Sequence, residues 1–137
     1  MSGFLRMRIK EAIDFHHSDD APEAIGPYSQ AVSVGGLVYT SGQVALDPKT
    51  NRLVSTEFEP QARQVFANLK AVLASAGCRF DDVLKATVFL KDFKDFDVLN
   101  RIYAEHMGSH RPARSTVQVA ALPKGALLEI DFIARLA

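Results

Sequence analysis

The feature that most constrains the fold is the alternation of apolar and polar side chains in residues 112–132, PARSTVQVAALPKGALLEIDF. Successive side chains of a strand point to opposite faces, so this alternation predicts strands with one buried face. Residues 122–125 carry turn-forming types, which predicts that the two strands form a hairpin. The apolar set on the buried face consists of Val117, Val119, Ala121, Leu128, Ile130 and Phe132.

The polar side chains of the two predicted strands fall on the opposite face. In a tight hairpin Gln118 would lie near Glu129, and Thr116 near Asp131, which places Arg114 on the same surface as Glu129. One interpretation is a solvated sheet face with scattered charges, because antiparallel sheets often expose one side to water.

The other interpretation is an interface between copies of the chain. The same face carries Leu127 and Ile133, and a half-apolar exposed face favours self-association. In a partly dry cleft, Arg114 could bind a carboxylate through two charge-assisted hydrogen bonds. Glu129 would there have a raised pKa and could transfer protons near neutral pH.

A first helix is predicted after the turn DPKTN. Thr56 and Glu59 suggest a capping box, Pro60 falls in the first turn, and Gly77 marks the end. The apolar stripe at helical spacing is Ala62, Val65, Phe66, Leu69, Val72, Leu73 and Ala76.

The remaining elements complete an α+β pattern. Strands are predicted at 11–15, on both sides of Gly35 and Gly36, and at 83–90. A second helix is predicted to begin near 92–95 and to end at Gly108, and its inner face consists of Phe96, Leu99, Ile102 and Tyr103. The order β-β-β-α-β-α-β-β predicts one mixed sheet with both helices on one face. We expect a single domain over residues 11–137, preceded by an N-terminal extension of residues 1–10.

Composition excludes several classes of protein. Sixteen basic residues balance sixteen acidic ones, so the chain has no global attraction to nucleic acid or anionic lipid. No apolar run approaches the roughly 18 residues of a membrane span. The four histidines lack partner cysteines or spaced carboxylates, so no metal site is predicted.

The cellular location follows from two weaker features. The single Cys78 excludes an internal disulfide and favours a reducing compartment. Residues 1–10 are basic, which is typical of an organelle transit peptide, but the stretch is short and poor in serine. We expect a cytoplasmic protein, with a mitochondrial location as the alternative.

Several short motifs together resemble one known family. In order they are IGPYSQAV, VYTSGQVALDPKT, NLKAVLASAG, VLKATVFLKDFKDF, N-x-x-Y at Asn100 and Tyr103, PARSTV and LPKGALLEID. Their spacing over some 120 residues closely resembles the RidA/YjgF family, also called the L-PSP or translation-inhibitor family. The resemblance implies a chorismate-mutase-like fold and a homotrimer around a central barrel, with active sites between subunits.

The implied activity is hydrolysis of reactive enamines and imines, such as 2-iminobutanoate and 2-iminopropanoate, to 2-oxo acids and ammonia. The resemblance implies neither a metal nor an organic cofactor. Arg114 matches the arginine that binds the substrate carboxylate, and Glu129 the acid that positions or activates water. The other positions implied to contact substrate are Tyr28, Ser41, Gly42, Asn100 and Thr116. Thr116 replaces a frequent cysteine, which argues against thiol chemistry there.

Two other functions stay open at this point. Some family members are described as endoribonucleases or translation inhibitors, although the balanced charge and the absence of Trp and of a basic run do not favour nucleic acid binding. A metabolite-binding module without turnover is the second alternative, and the presence of Glu129 argues against it.

Overall fold

A computed structural model describes residues 10–136 of the chain. One six-stranded mixed sheet has the order β1-β2-β3-β6-β4-β5. The strands are β1 (Asp14–His16), β2 (Ala31–Val34), β3 (Leu37–Thr40), β4 (Val83–Leu90), β5 (Ala113–Gln118) and β6 (Leu128–Arg135), and the helices are α1 (Phe58–Ser75) and α2 (Phe96–Met107). The predicted α+β element order is confirmed. Residues 1–9 of the predicted extension lie outside the described residues.

The core lies between the sheet and the two helices. The predicted stripe of α1 supplies Val65, Phe66 and Leu69, which are fully buried. They pack with alternate side chains of β4 and β6 in one hydrophobic cluster. Burial of each such side chain contributes about 1.5–3 kcal/mol before the entropy cost of ordering it. Within residues 10–136 no helix is long and apolar enough to cross a membrane.

The start of α1 differs from the predicted capping box. The N-cap residue is Glu57, one position after Thr56, and it makes no side-chain cap bond. The side chain of Gln61 makes hydrogen bonds near this end of the helix instead. Its amide nitrogen donates to the Ser55 carbonyl at 2.8 Å, and its oxygen accepts from the Leu127 backbone amide at 2.9 Å. Buried Gln61 therefore ties the start of α1 to the start of β6.

The last two strands do not form the predicted hairpin. β4 lies between them, parallel to β5 and antiparallel to β6. Helix α2 is the crossover that joins the parallel pair, as parallel strands require. Val88 of β4 is opposite both Thr116 and Ile130, so Thr116 shares the helix-covered face with the core.

This pairing also overturns the predicted common face of Arg114 and Glu129. Ala86, buried under the helices, is opposite Arg114, whereas Phe89 is opposite Val117 and Glu129 on the open face. A strand shifted by one position presents the opposite set of side chains. Arg114 therefore faces α2 and Glu129 faces away from it. Leu127, predicted for the open face, packs against the core instead.

The open face of the sheet is partly apolar. The register places Phe15, Val32, Tyr39 and Ile133 in one row across β1, β2, β3 and β6. Phe15 is 71% exposed and Tyr39 is 40% exposed. The single chain leaves this row in contact with solvent.

A candidate active site in two halves

The first half of the candidate site is a small cavity beside the Glu129 carboxyl. Its volume is about 40 Å³, enough for one or a few water molecules. The lining includes Glu129 of β6, Gly42 and Gln43 after β3, and Ile25 and Tyr28 of the preceding loop. The backbone of Gln43 pairs with that of Ile130 on β6 through two hydrogen bonds, one in each direction. This pairing holds Gly42 and Gln43 next to Glu129.

Gly42 gives Glu129 the space for its carboxyl group. A Cβ atom at position 42 would lie 2.5 Å from Oε2 of Glu129 and 2.7 Å from its Cδ. Real Cβ atoms essentially never make non-bonded contacts this short, so any other residue at position 42 would displace the Glu129 side chain. Glycine is required here by close approach.

The surroundings of Glu129 favour its protonated form. Burial raises the pKa of Glu129, and the nearby Asp131 carboxyl raises it further. Burial likewise raises the pKa of Asp131, against the smaller opposing effects of Lys85 and of a hydrogen bond from Thr87. A raised pKa makes the Glu129 carboxylate a stronger proton acceptor than an ordinary glutamate.

The loop that carries Tyr28 is anchored from both sides. The Ser41 hydroxyl donates to the Ser29 carbonyl at 2.5 Å, and the Ser41 amide donates to the Gln30 carbonyl at 2.9 Å. The buried Gln30 amide group donates to the Pro22 carbonyl at 2.9 Å. Ser41 is therefore engaged with this loop and does not line the cavity, whereas Tyr28 does.

The second half of the candidate site is built around Arg114 at the edge strand β5. One guanidinium nitrogen donates to the Asn100 side-chain oxygen at 2.7 Å. The guanidinium carbon lies 4.8 Å from the Tyr103 ring centre and 5.7 Å from that of Phe96. Cation–π contacts of this kind, together with the hydrogen bond, hold the planar group in one orientation.

A cavity of about 300 Å³ opens beside this arginine. It is lined by Asn100, Tyr103, Ala104, Arg111, Pro112 and Arg114. The size is near the lower end of the range for small-molecule sites, roughly 300–1,000 Å³. Among the described residues no carboxylate forms an ion pair with Arg111 or Arg114. Uncompensated guanidinium groups beside a cavity are suited to an anionic ligand.

Two hydroxyl groups near Arg114 are buried without a hydrogen-bond partner. They belong to Tyr103 and Thr116, and partners are absent among residues 10–136. Thr116 lies two positions after Arg114 on the same face of β5. Buried polar groups usually have partners, so these two mark places where a ligand, water or second chain would supply one.

Some residues of the second half were not predicted to have a site role. Phe96, Asn100 and Tyr103 are spaced i, i+4 and i+7 on α2 and so share one helix face, but the sequence predicts only core packing for the two aromatics. Their contact with the half-buried Arg114 of β5 depends on tertiary structure, so the sequence carried no signal of it.

The two halves of the predicted site do not meet within one chain. Tyr28, Gly42 and Glu129 lie together on one side of β4, and Asn100, Arg114 and Thr116 lie together on the other. Neither cavity is lined by both Glu129 and Arg114. Within residues 10–136 no group of three or more His, Cys, Asp or Glu could hold a metal ion.

Comparison with known proteins places this geometry in a family. The family model described as Endoribonuclease L-PSP matches residues 18–136. The human protein named 2-iminobutanoate/2-iminopropanoate deaminase is 48% identical over 114 residues, which are 83% of each chain. The chain belongs to the RidA/YjgF family.

Solved structures of RidA relatives agree with the fold. RidA from the Antarctic bacterium Psychrobacter sp. superposes with a TM-score of 0.86 at 48% identity, covering 89% of this chain and 98% of that one. Escherichia coli TdcF, solved with bound serine, gives a TM-score of 0.85 at 39% identity, covering 90% and 99%. The RidA fold predicted from the motifs is thereby confirmed.

Proposed function

We propose that this RidA-family chain hydrolyses small 2-imino acids, of the 2-iminobutanoate and 2-iminopropanoate type, to 2-oxo acids and ammonia. The observation that carries the proposal is the pairing of two complementary half-sites. One offers an oriented arginine without a carboxylate partner, and the other offers a partly buried carboxyl beside a water-sized cavity. The name of the human relative and the serine bound to E. coli TdcF support an amino-acid-sized substrate with a carboxylate.

Each group has one role in the reaction. Arg114 binds the substrate carboxylate through its free donors, while Asn100 and Tyr103 keep the guanidinium in place. The backbone near Thr116 and Gly42 contacts the nitrogen end. The substrate reacts as its protonated imine. A water beside Glu129 attacks the imine carbon and transfers one proton to the carboxylate, which forms a carbinolamine. Glu129 then returns that proton to nitrogen, the C–N bond breaks as ammonia leaves, and the carbinolamine hydroxyl releases its proton as the C=O bond forms. Protonated imine and water thus become 2-oxo acid, ammonia and a proton.

The proposal requires that the two halves come from neighbouring copies of the chain. Arg114 and Glu129 face opposite sides of one sheet, so a single copy cannot present both to one small molecule. The open face beside Glu129 carries exposed apolar side chains such as Phe15 and Tyr39, which a second copy would cover. A ring of three copies around this face gives three equivalent shared sites.

A subunit-mixing experiment tests the shared site directly. Arg114→Ala and Glu129→Gln chains carry different tags, are assayed alone, and are then refolded together in equal amounts. In a closed ring, about one quarter of the interfaces then join an intact arginine to an intact glutamate, so about one quarter of wild-type activity returns. An amino-acid dehydratase produces the imine in the presence of semicarbazide, which traps it. Activity is measured as the decrease in the rate of semicarbazone formation when the imine is hydrolysed first.

The matched control mixes wild type with the Arg114→Ala/Glu129→Gln double variant. With a shared site, the mixture should have about one quarter of the activity of the same total number of wild-type chains. With a site within one chain, it should have about one half. Mixed oligomers that are as inactive as their parents would refute the shared site. Wild type that leaves the trapping rate unchanged would refute the imine hydrolase, and RNA cleavage and 2-oxo acid binding would be measured next.

A further inference from the structure

The cavity beside Arg114 contains more positive charge than one carboxylate needs. Arg111 lines the same cavity three positions earlier in the chain, and Pro112 separates it from β5. Of the two guanidinium groups, neither has a carboxylate partner among residues 10–136. A monocarboxylate bound to Arg114 would leave the charge of Arg111 uncompensated.

The Arg111 side chain is anchored and still has free donors. Its Nη1 donates to the Gly108 carbonyl at 2.5 Å and to the His110 carbonyl at 3.0 Å, both just after α2. Its Nη2 and Nε have no acceptor among the described residues. A guanidinium fixed on one side and free on the other is arranged to bind an anion.

The charges of both arginines act on the Tyr103 hydroxyl group. Burial raises the pKa of Tyr103, and the Arg114 and Arg111 guanidinium groups each oppose that rise. Both arginines line the same cavity as Tyr103, whose hydroxyl group has no hydrogen-bond partner among residues 10–136. The cavity thus offers two guanidinium groups and one unpartnered hydroxyl around about 300 Å³.

From this geometry we infer that the site accepts 2-imino dicarboxylic acids, with Arg114 on the carboxylate next to the imine and Arg111 on the distal carboxylate. The inference rests on the proposed imine hydrolysis for turnover, but it makes a separate claim about binding. The class includes the imines that oxidation of acidic amino acids produces. The reaction is unchanged, because water replaces nitrogen at the same carbon and the distal carboxylate takes no part.

Binding of stable product analogues tests the inference without turnover. Calorimetry compares 2-oxoglutarate with 2-oxobutanoate on wild type, Arg111→Gln and Arg52→Gln. Arg52 is exposed, lies in the turn after Asp47 and is absent from the cavity lining, so its variant matches the charge change. We expect Arg111→Gln to weaken the dicarboxylate about tenfold relative to the monocarboxylate, as for one charge-assisted bond at a partly exposed site. Arg52→Gln should leave that ratio as in wild type.

Turnover gives the second readout. Imines made by glutamate oxidase and by threonine dehydratase are compared, and the kcat/KM ratio of diacid to monoacid should fall about tenfold in Arg111→Gln, mainly through KM. Equal binding of both oxo acids by wild type, or equal loss of both in Arg111→Gln, would overturn the inference. A change of oligomer mass in Arg111→Gln would also overturn it, since Arg111 would then pair with a second chain. Arg111-dependent diacid binding without any imine hydrolysis would refute the proposed function and leave the diacid site standing.

Discussion

Replacement of Gly42 by alanine separates the chemistry of the Glu129 cavity from the stability of the fold. The added Cβ would lie 2.5 Å from Oε2 of Glu129, while ordinary contacts begin at 3.4 Å, so the carboxyl oxygen must move by about 0.9 Å. A displacement of about 1 Å in a catalytic group can cost roughly a hundredfold in rate. We therefore expect kcat to fall by about two orders of magnitude in Gly42→Ala.

The fold should tolerate the same substitution. Gly42 does not have a positive φ, so alanine can adopt its backbone conformation. Such a replacement stabilises by about 0.4–1 kcal/mol through the unfolded chain, and the displaced carboxyl group offsets part of that gain. Urea unfolding should thus place Gly42→Ala within about 1 kcal/mol of wild type.

Gly36→Ala supplies the opposite control. Gly36 has φ of +81° in the turn between β2 and β3, with nothing within 4 Å of an added Cβ. Alanine there should lower the free energy of unfolding by about 1 kcal/mol, because an L side chain is strained at this positive φ. It should leave kcat close to that of wild type, because the added Cβ contacts no other residue.

A double-mutant cycle completes the test. If Gly42 acts through Glu129, Gly42→Ala/Glu129→Gln should lose no more activity than Glu129→Gln alone. Full kcat in Gly42→Ala would refute the reasoning. So would a double variant whose loss equals the product of the two single losses.

Two further predictions concern the charges of the half-sites. Because burial raises the pKa of Glu129 in the folded state, wild type should lose stability relative to Glu129→Gln as pH rises from the ordinary glutamate value of 4.5 through the raised value. Denaturant unfolding of both proteins at about pH 4 and about pH 7 measures this. An unfolding free energy of wild type that rises relative to that of Glu129→Gln between the two pH values would contradict the prediction. Asn100→Asp would place a carboxylate beside the guanidinium now 2.7 Å from Asn100, so KM should rise about tenfold or more, well beyond the rise in Asn100→Ala, with kcat little changed. Equal KM values in the two variants would show that charge competition at Arg114 is absent.

Local sequence patterns predicted most elements correctly. The residues 83–90 chosen from β-branched content are the observed β4, and the apolar stripe from Ala62 to Leu73 lies on the buried face of α1, with Ala76 just after its end. Gly77 and Gly108 were predicted to end the helices and follow them with φ of +77° and +60°. These features depend on neighbours in sequence, so periodicity and glycine conformation are enough to predict them.

The start of α1 was predicted less well. Thr56 has the residue type and spacing of a capping box, but Gln61 bonds to Ser55 and Leu127 instead. The Leu127 partner is 66 residues away along the chain. No local pattern contains that contact, so tertiary structure decided which residue begins the helix.

The sequence by itself determined which residues we propose for the chemistry, and the tertiary structure decided where they face. The motifs around Arg114 and Glu129 predict an anion-binding arginine and a proton-transferring acid without any coordinates, and both roles remain predictions. The insertion of β4 between β5 and β6 then sets the register through Val88 and Phe89, and places the two residues on opposite faces. Side-chain direction in a sheet reverses with each residue, so it depends on which strand is the neighbour. That choice is made by long-range packing of α2 and the core, which the alternation within one strand does not encode.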